Sequence, residues 1–325
     1  MKIRKALGWI VSAITLAASF ASADIYTWNG TDGGTNDWQV AGNWLTNGVA
    51  AITTPGLTDT ALFDTETEPS KTFTATNIPG DNLNTFLELR GDGAVSLSGA
   101  KAKMHTNKGF LATDGVSLNL EGGSRLYPYK GDTDSGATIH TVWASTGILD
   151  TDQSNSLGVY FNSAGCSFQI TAGEVLINGS RMMGANNAYI YLDGGELKST
   201  SLLSYPNGTL NSGIKMRGGD LTETGNMSWN AASDINIEDG IFTIGGKITF
   251  GALALANGAI NFSTNSTGSF VSEHTEADIL GFISSTNLTF DGAFAAADDF
   301  SIKENGGITT VSLWRPAVGM VISIQ

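Results

Sequence analysis

A glycine-centred pattern returns five times between Cys166 and Phe262, and it constrains the fold more than any other feature of the chain. Each repeat has apolar residues five and three positions before the glycine and another apolar residue two positions after it. The glycines are Gly173, Gly195, Gly219, Gly240 and Gly258. The apolar positions hold Phe168, Ile190, Ile214, Ile235 and Leu253, then Ile170, Leu192, Met216, Ile237 and Leu255, and last Val175, Leu197, Leu221, Phe242 and Ile260. Successive glycines lie 22, 24, 21 and 18 residues apart, a period typical of solenoids and other repeat arrays.

The spacing within one repeat indicates two strands joined at a corner. Apolar residues with one polar residue between them place one face of a strand in a core, because side chains alternate along a strand. After the glycine the apolar set resumes at the second position rather than the first, so the alternation slips by one residue. A slip of this kind requires a bend or bulge that redirects the chain around the same interior.

Stacking of the repeats follows from their size. One repeat cannot bury its apolar face, whereas parallel stacking buries a continuous core and pairs the backbone of each coil with its neighbours. We therefore predict an all-β fold: a single-stranded parallel β-helix with an aromatic-rich N-terminal cap and a C-terminal cap that contains a short helix. A β-sandwich of hairpins is the alternative, since regularly spaced turns also suit that class. Stacking of Ile190, Ile214 and Ile235 on neighbouring strands distinguishes the two.

The predicted order of segments is a signal peptide over 1–23, the N-terminal cap over 24–70, the parallel β-helix over 71–270 and the C-terminal cap over 271–325. In the last segment Thr275 to Asp278 forms a predicted capping box that opens a helix through about Ile283. Strands are expected near 288–290, 300–302 and 309–313, with the last two joined as a hairpin across 304–307.

The first residues have the features of a secretory signal peptide. Lys2, Arg4 and Lys5 precede a mostly apolar run over 6–20, and the small residues at 21–23 fit a cleavage site. A membrane anchor is the alternative, although the run is short for a membrane span. The sequence therefore predicts a secreted or cell-surface protein with no membrane span after signal removal.

The chain after residue 23 is strongly acidic. It carries 14 Lys and Arg against 31 Asp and Glu, a formal net charge of −17. Such a surface repels phosphate backbones and anionic lipid, so nucleic acid and membrane-surface partners are not expected. The single cysteine, Cys166, shares a strand face with Phe168 and Ile170, which predicts a buried thiol rather than a reactive one.

Three tryptophans, Trp28, Trp38 and Trp44, fall within seventeen residues of the predicted N-terminal cap. The open end of a solenoid must be covered, and large aromatic side chains over the first coil would do so. The alternative is that these indoles form a carbohydrate-binding platform on which sugar rings stack.

Several short motifs resemble those of secreted bacterial proteins that are built from autotransporter-associated β-strand repeats. The motifs are Trp28 to Gly30, Asn36-Asp37-Trp38, Asn43-Trp44, Pro55, Asp59 to Phe63, the glycine-centred repeats and the closing run from Asp299 to Trp314. The resemblance implies a β-helix and export. Many such proteins end in a PEP-CTERM sorting signal, but residues 317–325 carry neither that signal nor a barrel. We therefore expect release, or retention by non-covalent contacts.

One acidic stretch has the alternation of a calcium loop, with Asp150 and Asp152 followed by Ser154. An EF-hand loop also needs glycine at its sixth position and glutamate at its twelfth, where this chain has Asn155 and Phe161. A surface calcium site and an ordinary Asp-rich turn are the two interpretations. No other cofactor is expected.

A basic cluster offers the best catalytic candidates. Coils about twenty residues apart stack directly, so Lys103 and His105 are predicted to lie beside Arg125 and Tyr127. A polysaccharide lyase uses cations to neutralise a uronate carboxylate and a Tyr, His or Lys to move the α-proton. The alternative is a solvated charged face.

Three functions are consistent with these features. The first is an exported, non-enzymatic β-helix protein with a structural, adhesive or extracellular-matrix role, whose partners would be extracellular polysaccharides or surface proteins. The second is a polysaccharide lyase or other carbohydrate-active enzyme, and the third is a carbohydrate-binding module.

Overall fold

A computed structural model of the chain describes residues 24–30, 36–56, 59–66, 68–69, 72–78, 86–99, 103–105, 109–121, 125–127, 141–151, 159, 161, 165–177, 181–183, 188–200, 203–205, 212–229, 233–250 and 260–314. The predicted signal peptide and the calcium candidate Asp152 lie outside these residues.

The described part of the chain is almost entirely β-structure. The first strands are β1 (Ile25–Trp28), β2 (Trp44–Thr46), β3 (Val49–Ala50), β4 (Thr60–Asp64), β5 (Thr72–Ala75), β6 (Phe86–Arg90), β7 (Ala94–Ser98), β8 (Lys103–His105), β9 (Phe110–Ala112) and β10 (Ser117–Glu121). The middle strands are β11 (Arg125–Tyr127), β12 (Thr141–Trp143), β13 (Ile148–Thr151), β14 (Ser167–Ile170), β15 (Glu174–Ile177), β16 (Arg181–Met183), β17 (Tyr189–Leu192), β18 (Glu196–Ser199), β19 (Leu203–Tyr205), β20 (Ser212–Arg217), β21 (Asp220–Glu223) and β22 (Met227–Trp229). The last elements are β23 (Ser233–Asp239), β24 (Ile241–Ile244), β25 (Ile248–Phe250), β26 (Ile260–Phe262), β27 (Ser269–Ser272), helix α1 (Glu276–Ser284), β28 (Leu288–Phe290), β29 (Phe300–Asn305) and β30 (Ile308–Leu313).

The strands form a β-solenoid, as predicted. A 13-stranded sheet, here the long sheet, has the order β28-β26-β23-β20-β17-β14-β12-β9-β6-β4-β1-β2-β3. An 11-stranded second sheet has the order β29-β30-β27-β24-β21-β18-β15-β13-β10-β7-β5. The pairs β8/β11, β16/β19 and β22/β25 form a third face. From β6 to β27 the strands of the long and second sheets alternate along the chain, and the third-face strands come between successive coils.

The interior consists of columns of apolar residues that run along the solenoid. Ile190 pairs with Ile214, and Ile214 pairs with Ile235, on adjacent parallel strands. All three side chains are fully buried. On the second sheet, Leu197 and Leu221 pair in the same manner. Full burial of one such side chain stabilises the fold by about 1.5–3 kcal/mol relative to exposure, so stacking of these columns is the main source of stability and rules out the sandwich.

The corner glycines hold the two sheets at their bend. Gly173 has φ +61° and Gly240 has φ +92°, in the left-handed region that other residues adopt only with strain. A Cβ on Gly240 would collide with the carbonyl oxygen of Gly219 in the preceding coil, and one on Gly173 would collide with that of Ser145. The glycines are therefore required both by the backbone angle and by the close approach of successive coils.

The register that the sequence predicted for the fifth repeat is wrong. Ile260 pairs with Ile235 on the long sheet rather than occupying the second sheet, and Phe270 is the residue that stacks on Phe242. The corner of this coil, from Phe262 to Phe270, is longer than the preceding ones and includes a turn at 263–266. Ile260 stands two positions after Gly258, as an apolar residue does in each preceding repeat, and this spacing led to the wrong assignment of Ile260 to the second sheet. Leu253, Leu255 and Gly258 lie outside the described residues.

Parallel stacking begins within the segment predicted as the N-terminal cap. β4 pairs in parallel with β1 on one side and β6 on the other, so the long sheet starts before residue 71. At this end of the long sheet, β2 and β3 depart from the solenoid as antiparallel additions.

The C-terminal cap matches the prediction closely. Helix α1 begins with a capping box in which the hydroxyl of Thr275 accepts from the Asp278 N–H and the Asp278 carboxylate accepts from the Thr275 N–H. β29 and β30 form the expected hairpin, and β30 closes the second sheet by antiparallel pairing with β27. The buried thiol of Cys166 is also confirmed. In the described part of the chain no helix has the length and apolar character needed to cross a membrane.

Candidate functional site

The three tryptophans of the N-terminal cap pack inside the first coils. Trp28, Trp38 and Trp44 are 3%, 1% and 0% exposed. Trp44 meets Trp28 and Trp38 edge to face at 4.8 and 4.6 Å between ring centroids, and Trp28 stacks on Phe63 at 5.5 Å. The indole N–H of Trp44 donates to the carbonyl oxygen of Trp38 at 2.9 Å. The alternative interpretation gave these indoles the role of a platform for sugar rings. A sugar ring has no access to the indole faces unless the cap unpacks.

The residues of the basic cluster lie on neighbouring strands, as predicted. In the parallel pair β8/β11, Lys103 lies opposite Arg125 and His105 lies opposite Tyr127. Leu126, which lies between Arg125 and Tyr127 on β11, is fully buried and forms a parallel β-bridge with Val159. The topology thus brings the four candidate residues to two adjacent strands of the third face.

The calcium candidate Asp150 lies on the second sheet, paired with Asn119 on one side and Leu176 on the other. It is therefore part of a regular strand rather than of a calcium loop. Across the ranges that the structure describes, no three His, Cys, Asp or Glu side chains are grouped so that they could hold a metal ion.

An outward ladder on the long sheet was not anticipated. Tyr189 and Tyr191 belong to an apolar cluster separate from the interior core, together with Phe86, Leu111 and Val142. The ammonium of Lys215 lies 4.2 Å from the ring centroid of Tyr189, and the guanidinium carbon of Arg217 lies 4.4 Å from that of Tyr191. The alternation of Tyr189 and Tyr191 around inward Ile190 was the available signal.

A carboxylate holds the guanidinium group of this ladder. Arg217 is bidentate on Asp193, with Nε 2.6 Å from Oδ1 and Nη2 3.1 Å from Oδ2. Gln169 donates to the same Oδ2 at 2.5 Å. Since Tyr189 and Tyr191 are 8% and 0% exposed, the ladder stabilises the outer face of the sheet rather than presenting rings to a ligand.

Asp234 lies one strand beyond this ladder. Burial raises its pKa to about 6, with the positive charge of Lys215 opposing the shift. Gly213 stands beside it in the sheet, and a Cβ there would collide with the Asp234 carbonyl oxygen. The lack of a side chain at Gly213 leaves room for the Asp234 carboxyl group, whose Oδ1 would lie 2.9 Å from a Cβ at that position.

The side chain of Glu223 faces the interior. Glu223 is fully buried on the second sheet, in a column shared with Ser199 and close to Ile244. Its Oε1 accepts from the N–H of Gly225 at 3.0 Å. This contact secures the chain as it leaves β21, which is a structural role.

A cleft opens where helix α1 lies against β25 of the third face, and we call it the cap cleft. Its volume is about 410 Å³, and its walls include Phe250, Asp278, Gly281 and Phe282. The Phe250 and Phe282 rings meet edge to face, with centroids 5.1 Å apart. The sequence could predict α1 but not its placement against β25.

His274 is buried behind the cap cleft. Its Nε2 accepts from the N–H of Ile248 at 2.8 Å, so the neutral ring carries its proton on Nδ1. Nδ1 faces Oδ2 of Asp278 at 3.6 Å without a hydrogen bond. The ring also packs edge to face on Phe282 at 4.8 Å. Burial lowers the pKa of His274, and the Asp278 carboxylate opposes that shift only partly. The neutral imidazole therefore joins β25 to the cap helix.

Comparisons with protein-family models, with curated proteins and with solved structures found no match to this chain.

Proposed function

We propose that this protein is an exported, non-enzymatic β-solenoid with a structural or adhesive role in the extracellular matrix. The observation that carries the proposal is the unbroken long sheet, which connects an aromatic-filled N-terminal end to a C-terminal end closed by a helix and a hairpin. Two closed ends and columns of interlocked side chains suit a rigid spacer. The signal-peptide pattern and the resemblance to autotransporter-associated repeat proteins support export.

The sides of the solenoid suit contact with hydrated partners. On the second sheet Lys198 lies 2.7 Å from Glu174 and 3.1 Å from Glu196, and Thr222 donates to Glu196 at 3.0 Å. Ladders of this kind repeat a polar spacing from coil to coil. Extracellular polysaccharides and surface proteins are the partners that such a regular polar face would bind.

The test uses the purified chain from residue 24 with neutral and acidic polysaccharides. Co-sedimentation with at least one polysaccharide, together with an unchanged polymer size in gel filtration, is the expected result. Shortening of any polymer would overturn the non-enzymatic assignment. Expression of the full sequence in a bacterial host should also yield an exported product whose mass corresponds to a start at Asp24.

A polysaccharide lyase is the second candidate, and the register of β8 and β11 favours it. Lys103 beside Arg125 would neutralise a uronate carboxylate, and His105 or Tyr127 would take the α-proton as the glycosidic bond is eliminated. The product of such elimination has a conjugated double bond that absorbs in the ultraviolet. Absorbance that rises with the wild-type chain and not with His105→Ala would establish this function, whereas no rise with the wild type on a panel of uronate polymers would exclude it.

A further inference from the structure

The cap cleft has one apolar wall whose side chains are fixed in place. Phe282 is held between Phe250 at 5.1 Å and the buried His274 ring at 4.8 Å. Phe250 is in register with Trp229, which is 1% exposed. Both phenylalanines remain partly exposed. The cleft thus presents aromatic surface that does not need to be ordered on binding, which lowers the entropic cost of a ligand.

The rim of the cleft is rich in hydrogen-bond acceptors. Oδ2 of Asp278 accepts the Thr275 N–H, and hydrogen bonds from Thr275 lower the pKa of Asp278, so this group is ionised at neutral pH. The side-chain amide of Asn287 donates to Ser285, which directs its donor toward the helix end. Asp278 and Asn287 both line the cleft, so their side-chain oxygens border it. Thr249 adds a hydroxyl.

These two walls fit a particular ligand chemistry. A saccharide ring has an apolar C–H face that can lie on an aromatic side chain and hydroxyl groups that donate to acceptors on the rim. A uronate or phosphate would be repelled by ionised Asp278 and by a chain whose formal charge from residue 24 is −17. The cleft therefore favours a neutral sugar.

Gly281 supplies the second observation. It lies within α1, and a Cβ at this position would have no heavy atom within 4 Å. Glycine is a poor helix former, and nothing in the packing requires it here. Gly281 borders the cleft, so a larger side chain at this position would narrow the mouth of the cleft.

We propose that the cap cleft binds one residue of a neutral polysaccharide, with Phe250 and Phe282 as the stacking wall and Asp278 and Asn287 as hydroxyl acceptors. This inference rests on the proposed adhesive function, for which it names the ligand class and the place of attachment. The cleft is open to solvent, with about 410 Å³ of space beside these residues, so a sugar ring can reach Phe250 and Phe282 from outside.

The experiment is titration of the chain from residue 24 with neutral oligosaccharides of glucose, mannose and galactose, followed by calorimetry and by saturation-transfer NMR. Gly281→Leu fills the mouth of the cleft with a better helix former, so the fold should be retained, which circular dichroism verifies. We expect at least one neutral sugar to bind the wild type and to bind this variant at least tenfold more weakly. Ser284→Leu, on the same helix but outside the cleft, is the matched control and should bind as the wild type does.

Three results would overturn the proposal: no binding by any neutral sugar, equal binding by Gly281→Leu, or tighter binding of an oligogalacturonate. Co-sedimentation of Gly281→Leu with polysaccharide separates the two levels of inference. If the cleft is not a sugar site but the solenoid is adhesive, this variant and the wild type will co-sediment equally. If neither co-sediments, the adhesive function itself fails.

Discussion

The two ends of the solenoid are closed in different ways. At the N-terminal end, Trp28, Trp38 and Trp44 fill the interior so completely that none is more than 3% exposed. At the C-terminal end, α1 is held by a capping box and by the buried ring of His274, and a cleft remains open beside it. An end that is filled can only stabilise, whereas an end held by a few polar contacts can also keep a concave surface. The difference locates the candidate ligand site at the C-terminal end.

The largest expected effect comes from emptying the filled end. Trp44→Ala removes a fully buried ring, its contacts with two neighbouring indoles and a hydrogen bond to Trp38. We expect the free energy of unfolding to fall by about 3–5 kcal/mol in urea denaturation. Val49→Ala, at an exposed position on the same cap, should change it by no more than about 0.5 kcal/mol. Equal effects of the two variants would mean that the aromatic cluster does not close this end.

The second prediction concerns the loss of folding stability at acidic pH. Because burial lowers the pKa of folded His274 from 6.5, the unfolded chain binds the proton more readily and stability falls as the pH drops through 6.5 toward the folded value. A tenfold difference in proton affinity between the folded and unfolded chains corresponds to about 1.4 kcal/mol of stability. His274→Gln keeps an acceptor for Ile248 but does not titrate, so the variant should lose this pH dependence, measured as the midpoint of thermal unfolding.

Asp234, in the body of the solenoid, serves as a control because its effect on the pH dependence of stability has the opposite sign to that of His274. Its folded pKa of about 6 lies above the usual 3.8, so its contribution to stability is lost as the pH rises from about 4 to 6. Asp234→Asn should therefore make the acid sensitivity of the remaining chain steeper. The protection factor of the Ile248 amide against hydrogen exchange, which is the observed rate corrected for the pH dependence of an unstructured amide, should fall in the wild type below pH 6.5. A constant protection factor there would contradict the assigned role of His274.

A third, smaller effect is expected at the start of α1. Thr275→Ala removes the hydroxyl that accepts from the Asp278 N–H at 3.2 Å, and loss of such a cap costs about 1 kcal/mol. The loss should be local, so sugar binding at the cap cleft should weaken while the N-terminal end is unaffected. Thr275→Ser, which retains the hydroxyl, should restore both stability and binding.

The smallest effect is expected on the sides of the solenoid. Lys198→Met removes the ion pairs with Glu174 and Glu196, but the side chains are partly solvated, and such pairs contribute about 0.2–1 kcal/mol. In 1 M salt the difference between variant and wild type should vanish. A larger or salt-independent difference would show that the sides contribute more to stability than the filled and capped ends suggest.

Sequence reasoning succeeded where one physical rule acts over a short distance. Alternation around Ile190 and Ile214 predicted the columns, and the Thr275 capping box predicted the start of α1, because strand parity and helix capping depend on residues a few positions apart. The approximate coil period predicted that Lys103 and His105 would lie near Arg125 and Tyr127, but it did not give the individual pairing.

It failed where a corner changed length or where distant elements meet. Nothing in the pattern around Ile260 revealed that the turn before Phe270 would be longer, because turn length depends on local backbone conformation rather than on apolar spacing. The cap cleft likewise depends on how Gly281 faces Phe250 across two elements with no shared periodicity. Composition left two outcomes open for Trp28, burial in the cap or exposure to sugars, and it could not decide between them.

The glycine corners also bear on how a chain of this kind can change length. A side chain at Gly240 would collide with the carbonyl of Gly219 one coil earlier, so each corner is matched to its predecessor and cannot shift alone. Duplication or loss of an entire coil, in contrast, leaves every such match intact and alters the span by about 4.8 Å. Related chains should therefore differ in length by whole coils, with both termini unchanged.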